Sequence, residues 1–119
     1  MIKEQALNDF WNSFGVPAYD MYTVPDDAPF PRITYSVSEN GFGIPLSLIA
    51  NIYSRSKSWI QALEIKDLIF DALNTGTMKL NYDGGQIWLK KDARAERMGD
   101  PDDSIRHIVI TLEAEYLGG

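Results

Sequence analysis

The chain has 119 residues and a formal net charge of −6, from 11 Lys and Arg against 17 Asp and Glu. With no cysteine and one histidine, it excludes disulfide frameworks, thiolate metal sites, iron–sulfur clusters and cysteine nucleophiles, and leaves little for a His-rich zinc site or a His relay. The acidic balance argues against an electrostatic grip on nucleic acid, and 45% hydrophobic with 24% charged residues is the composition of one globular domain, residues 1–119.

Residues 1–14 are predicted to form a helix. Ile2, Ala6, Leu7, Phe10, Trp11 and Phe14 share one face, with Lys3, Glu4, Asn8, Asp9 and Asn12 turned away. Gly15 and then Val16-Pro17 are the stop signal. Trp11 and Phe14 are expected in the core. Ala18 to Thr23 suits a short strand, which the prolines at 25, 29 and 31 keep from extending. That exposed connection carries Phe30 at its tip, which makes it either a contact loop or an ordinary crossover.

Arg32 to Glu39 alternates Ile33, Tyr35 and Val37 with Thr34, Ser36 and Ser38, a strand with one wet face. Asn40-Gly41-Phe42-Gly43 supplies turn chemistry before a β-rich run from Leu46 to Tyr53, so a hairpin is expected. The Gly41-x-Gly43 pair lacks the third glycine and the Lys-Ser/Thr pair of a phosphate loop. Ser58-Trp59-Ile60-Gln61 fits a capping box at the head of a second helix. Its wide apolar face includes Trp59, Ala62, Leu63, Ile65, Ile69, Phe70, Ala72 and Leu73, and Gly76 is a plausible end. A face this wide suits burial against a sheet, with room for contact to another subunit.

Thr77 to Tyr82, Asp83-Gly84-Gly85 and Gln86 to Lys90 read as a second hairpin. Residues 91–103 mix charges with almost no apolar content, so a mobile excursion is expected there. From Ser104 to Tyr116 the chain gives its longest strand, with Ile108, Ile110, Leu112, Ala114 and Tyr116 in one phase. His107, Val109, Thr111, Glu113 and Glu115 occupy the other. This order of elements predicts an α+β fold, two helices packed on one face of a mostly antiparallel, twisted β-sheet. The early apolar run of a secretory signal is missing, and the longest uncharged stretch, Asn40 to Ser54, is too short and too broken to span a bilayer. A soluble protein made and kept in the cytoplasm, away from membranes, is the expectation.

Catalytic patterns are incomplete. Pro101-Asp102 with Glu113-Ala114-Glu115 approaches a nuclease core, but an acid replaces the lysine that would activate water. Asp100, Asp102 and Asp103 could collect around a hard cation, yet they lack the glycine and terminal Glu of an EF-hand, and an Asp-Pro turn explains them more simply. His107 has a base's side chain with no partner at a telling spacing, which favours a surface or interface histidine. The expectation is a protein without cofactor, metal or catalytic residues.

Arg32-Ile33-Thr34-Tyr35, the run Leu48-Ile49-Ala50-Asn51-Ile52-Tyr53-Ser54 leading into a helix at Trp59, and a charged loop entering Arg106-His107-Ile108-Val109-Ile110-Thr111-Leu112-Glu113 resemble the tail terminator (tail-completion, head-to-tail joining) proteins of long-tailed bacteriophages. The resemblance spans nearly the whole chain and rests on element order. It implies a structural virion protein located at the head–tail junction. Such proteins form a ring, usually hexameric, that caps the tail tube, ends its polymerisation and meets the neck of the head. The implied partners are further copies of the chain, the major tail tube protein and a head-completion or neck protein. DNA would pass through the ring without specific binding.

A closed ring needs two different patches on each subunit. Phe30, Phe42, Arg94, Glu96, Arg97, Asp100, Asp102, Asp103 and His107 are the interface candidates. The loop 91–103 would be disordered in the monomer and ordered on assembly. Asp20, Asp26, Asp27, Glu113 and Glu115 are candidates for an acidic lumen that repels phosphates. Two rival readings are a monomeric adaptor that recruits a partner at a sheet edge and a small enzyme with a carboxylate site assembled from distant residues.

Overall fold

The computed structural model describes residues 2–36, 46–74, 78–89 and 93–117. The fold is α+β, with two helices and a mostly antiparallel seven-stranded sheet. The elements are α1 (Lys3–Trp11), β1 (Ala18–Asp20), β2 (Arg32–Tyr35), β3 (Leu46–Arg55), α2 (Ile60–Asn74), β4 (Met78–Tyr82), β5 (Gly85–Leu89), β6 (Arg94–Met98) and β7 (Ile105–Leu117). Strand order is β1-β2-β3-β7-β5-β4, and β6 also pairs with β7. Among the described residues only β1 and β2 run parallel. Phe42, Gly41, Gly43 and Gly76 lie outside the described residues.

The first helix ends as its sequence predicts. One 3-10 turn over Asn12–Phe14 follows α1, and Gly15 then takes φ 83°, a conformation that a side chain disfavours. Ala6, Leu7, Phe10 and Trp11 are buried. Trp11 stacks on Tyr35 at 6.3 Å and meets Phe10 edge-on at 4.8 Å. The second helix buries Ala62, Ile65, Ile69 and Leu73. Both helices contribute to one core with Ile33, Ile52, Ile108, Ile110 and Leu112, so both cover the same sheet face.

The capping box at Ser58 forms differently from its sequence pattern. Ser58 Oγ accepts from the Ile60 amide at 3.2 Å, but Gln61 does not close the box: its Oε1 accepts from Ser54 Oγ at 2.5 Å. Ser54 is fully buried on β3, and a buried hydroxyl needs a partner. Gln61 therefore serves the sheet rather than the helix end.

Two strand expectations are corrected. In β2, Ile33, Thr34 and Tyr35 are all buried, so the phase of Thr34 is not wet. β2 lies between β1 and β3, where Tyr19 and Asn51 flank Thr34 in register, and a short side chain between larger ones is screened from water.

The second correction concerns residues 91–103, where a mobile excursion was expected and Arg94–Met98 form strand β6, antiparallel to β7. All five of its residues are exposed, so side-chain burial does not hold the strand. The cause is the length of β7. Its 13 residues pair with β3 along one edge, while β5 covers only Ala114–Leu117 of the other. The backbone groups left open over His107–Thr111 are satisfied by β6. Composition does not report such pairing.

The second hairpin forms as predicted. β4 and β5 pair from Met78↔Leu89 to Tyr82↔Gly85, and Gly84 in the turn has φ 100°. Among the described residues no helix is long and apolar enough to cross a membrane.

Candidate functional site

The sheet face opposite the helices is organised in transverse rows. Arg32, Tyr53, His107 and Met98 lie side by side on β2, β3, β7 and β6. Thr34, Asn51, Val109 and Glu96 form the next row, and Ile49, Thr111 and Arg94 the one after. Ile49 and Met98 are exposed, at 39% and 44%. Three of the interface candidates, Arg94, Glu96 and His107, therefore share one surface.

His107 sits on this face as its strand phase predicts, but it is not free. Its ring stacks on Tyr53 at 4.4 Å, and its Nε2–H donates to Asn51 Oδ1 at 2.8 Å. Burial lowers the imidazole's pKa below its ordinary 6.5, with Asp100 pulling weakly the other way. At neutral pH the ring is neutral and structural.

Phe30 is corrected from an exposed tip to a half-buried ring. It lies against two guanidiniums, Arg32 at 4.2 Å and Arg55 at 4.4 Å. Arg32 also reaches Tyr53 at 5.5 Å and donates to the Ala28 carbonyl at 3.1 Å. Its Nε is buried without a hydrogen-bond partner, so stacking contributes much of what positions this side chain. The pairing of Arg32 and Arg55 on one ring was missed in the sequence, because only the antiparallel pairing of β2 with β3 brings Arg55 beside the Phe30 ring that Arg32 adjoins.

Arg97 belongs to the helix side. It lies over Trp59 at 4.9 Å, and Arg106 approaches the same ring at 5.6 Å. Arg106 also donates to the Lys57 carbonyl from Nε at 3.2 Å and from an η nitrogen at 2.8 Å, and its other η nitrogen donates to the Asp103 carbonyl at 2.8 Å. It thus ties the start of β7 to the entry of α2.

The three aspartates build turns. Asp100 Oδ1 accepts from the Asp102 amide at 2.9 Å, and Asp102 Oδ1 accepts from the Ser104 amide and hydroxyl at 2.9 and 2.6 Å. The two Ser104 bonds, with Arg55 at 3.8 Å, lower the Asp102 pKa below the ordinary carboxylate value. Asp103 contributes its backbone carbonyl to Arg106. Among the described residues no group of three or more His, Asp or Glu could hold a metal ion.

A groove of about 730 Å³ lies along the β1 side of the molecule, lined by Ile2, Glu4, Gln5, Asn8, Asp9, Asp20 and Tyr35. The Asn8 amide donates to the Tyr35 hydroxyl at 2.7 Å. Burial raises the Tyr35 pKa, and Asp20, Glu4 and Asp9 add to that rise by repelling a phenolate. The helical periodicity put Glu4 and Asp9 on the polar face of α1, but the parallel pairing of β1 with β2 is what brings Asp20 beside them. The five lumen candidates do not converge. Asp20 is opposite Tyr35 on the helix side, whereas Glu113 and Glu115 lie on the other phase of β7, and Asp26 and Asp27 are exposed in the connection before β2.

No protein-family model matches this chain, and no curated protein matches it. Among solved structures, a chain from the virion of a native gene transfer agent (GTA) particle is similar, with a TM-score of 0.65 and 19% identity over 97% of this chain and 91% of that chain. At that identity the likeness shows a shared fold. It runs over nearly the whole of both chains.

Proposed function

We propose that this chain is a structural protein of a phage-like virion, one that forms a ring at the end of the tail, ends tube polymerisation and joins tail to head. The observation that carries the reading is the end-to-end similarity to a chain of a gene transfer agent virion, covering 97% of this chain. The sequence resemblance to tail terminators points the same way.

The chemistry of the polar residues is compatible with scaffolding. His107 is committed to Asn51, Asp100 and Asp102 to turn amides, and Arg106 to the Lys57, Asp103 and Ile105 carbonyls. Their hydrogen bonds hold strand ends and turns, and so preserve the shape that an assembling subunit presents. In this reading the partners are further copies of the chain, the major tail tube protein and a neck protein of the head.

The test is to label the chain with an epitope, purify particles from the producing cells and locate the label by immunogold electron microscopy. Label at the head–tail junction is expected, and deletion of the gene should leave heads separate from tails of irregular length. Label absent from particles, with normal tails after deletion, overturns the reading. A persistent monomer that captures one cellular protein and never enters particles would favour an adaptor.

A further inference from the structure

The two margins of the sheet differ in how their backbone is finished. At one margin, β1 pairs only with β2, but its outer edge is plugged. Asn12 accepts from the Ala18 amide at 3.0 Å and donates to the Ala18 carbonyl at 3.2 Å, and the Asp20 carbonyl accepts from the Thr23 amide at 3.0 Å. Side-chain plugging of this kind stops a sheet from growing.

Past β7 the described sheet ends in two strands, β4, which closes the path through β5, and β6, which pairs with β7 directly; among the described residues no strand lies beyond either. The five residues of β6 are exposed and include Arg94 and Arg97. The margins also differ in charge. The plugged side carries the groove with Glu4, Asp9 and Asp20, whereas β6 carries two arginines and one glutamate. A chain of net charge −6 has thus placed two arginines on the β6 edge and gathered three carboxylates in the groove between α1 and β1.

We propose that the open β6 edge is the docking surface for a second copy of this chain, which presents its Glu4–Asp9–Asp20 groove to Arg94 and Arg97. The contact is head-to-tail, because the groove and the β6 edge are two different surfaces of each copy, and such a contact closes into a ring when its rotation completes a circle. Opposite charges set the pairing and its direction, and the plugged β1 edge keeps copies from joining through backbone alone. This surface rests on the ring reading above and gives it a geometry. Since the charges are exposed, the association weakens as salt rises.

The absence of cysteine makes the test direct. Asp9→Cys and Arg94→Cys, combined in one chain and oxidised over a concentration series, should give a ladder of disulfide-linked oligomers, while each single variant should give dimers at most. In parallel, Arg94→Glu/Arg97→Glu and Glu4→Lys/Asp9→Lys should each weaken self-association at least tenfold by sedimentation velocity. An equimolar mixture of the two should restore it, because each reversed edge then meets a reversed groove. Circular dichroism matching the unaltered chain confirms that the variants fold. Oligomers that form without the ladder and ignore the charge reversals overturn this surface and leave the virion reading standing. A strict monomer at every concentration overturns the surface too, while the virion reading falls only if the immunogold label is absent from particles.

Discussion

His107 and Tyr53 face each other across β7 and β3 with their rings 4.4 Å apart and 22° from parallel. The imidazole is thereby shielded on one face, and its Nε2–H is committed to Asn51, itself only 7% exposed. Protonation would place a charge between an aromatic ring and a buried amide, with Asp100 offering weak compensation.

That arrangement gives stability a pH dependence of known sign. The folded pKa of His107 lies below the unfolded value of 6.5, so the unfolded chain binds the extra proton more readily. The contribution is fully present above pH 6.5 and is lost as pH falls through the lower folded pKa. Urea midpoints measured from pH 7.5 down to 5.5 should fall, and His107→Gln should flatten that decline. An unchanged slope in the variant would assign the dependence to other groups.

Gly85 pairs with Tyr82 at the β4–β5 turn, and a Cβ there would run into the Leu117 carbonyl and approach the Tyr82 hydroxyl at 3.0 Å. The obstacle is β7 backbone, which cannot swing aside as a side chain does. Gly85→Ala should cost about 1–3 kcal/mol, in the range of overpacked sites, whereas Gly99→Ala, with open space around it, should be close to neutral. Thermal unfolding of the two variants makes the comparison.

Arg106 should behave as a clamp rather than a charge. It holds the Lys57 and Asp103 carbonyls from three nitrogens and lies near Trp59. Arg106→Ala should destabilise by about 1–3 kcal/mol, the range for bonds to a charged donor. Arg106→Lys should recover little, since an ammonium lacks the planar fork. Trp59 is one of three tryptophans, so its share of the fluorescence change is read in a background with the other two replaced by Phe.

The pairing of β6 with β7 predicts an amide-exchange pattern. An edge strand bonds through alternate residues, so alternate amides among residues 94–98 should exchange slowly, and their neighbours at rates near those of an open chain. Uniformly fast exchange across residues 94–98 would contradict the pairing. Ala95→Pro should remove protection from residues 94–98 with only a small loss of global stability, because all five residues of β6 are exposed.

The sequence by itself determined the helix faces, the stop at Gly15, the second hairpin and the α+β class, because each follows from local periodicity or from turn chemistry within a few residues. It also placed His107 on the face away from the helices, since strand phase alternates by necessity. Only the tertiary structure decided the rest. β6 is a strand because β7 is long enough to offer it an edge, a matter of pairing between distant segments that no composition records. Phe30 is half-covered because β2–β3 pairing brings Arg55 to the ring that Arg32 already adjoins. The same physics separates the charges: Glu4, Asp9 and Asp20 become one groove only when β1 lies parallel to β2. The net charge of −6 gave the total, and the fold decided that the β6 edge would carry arginine while the acids gather between α1 and β1.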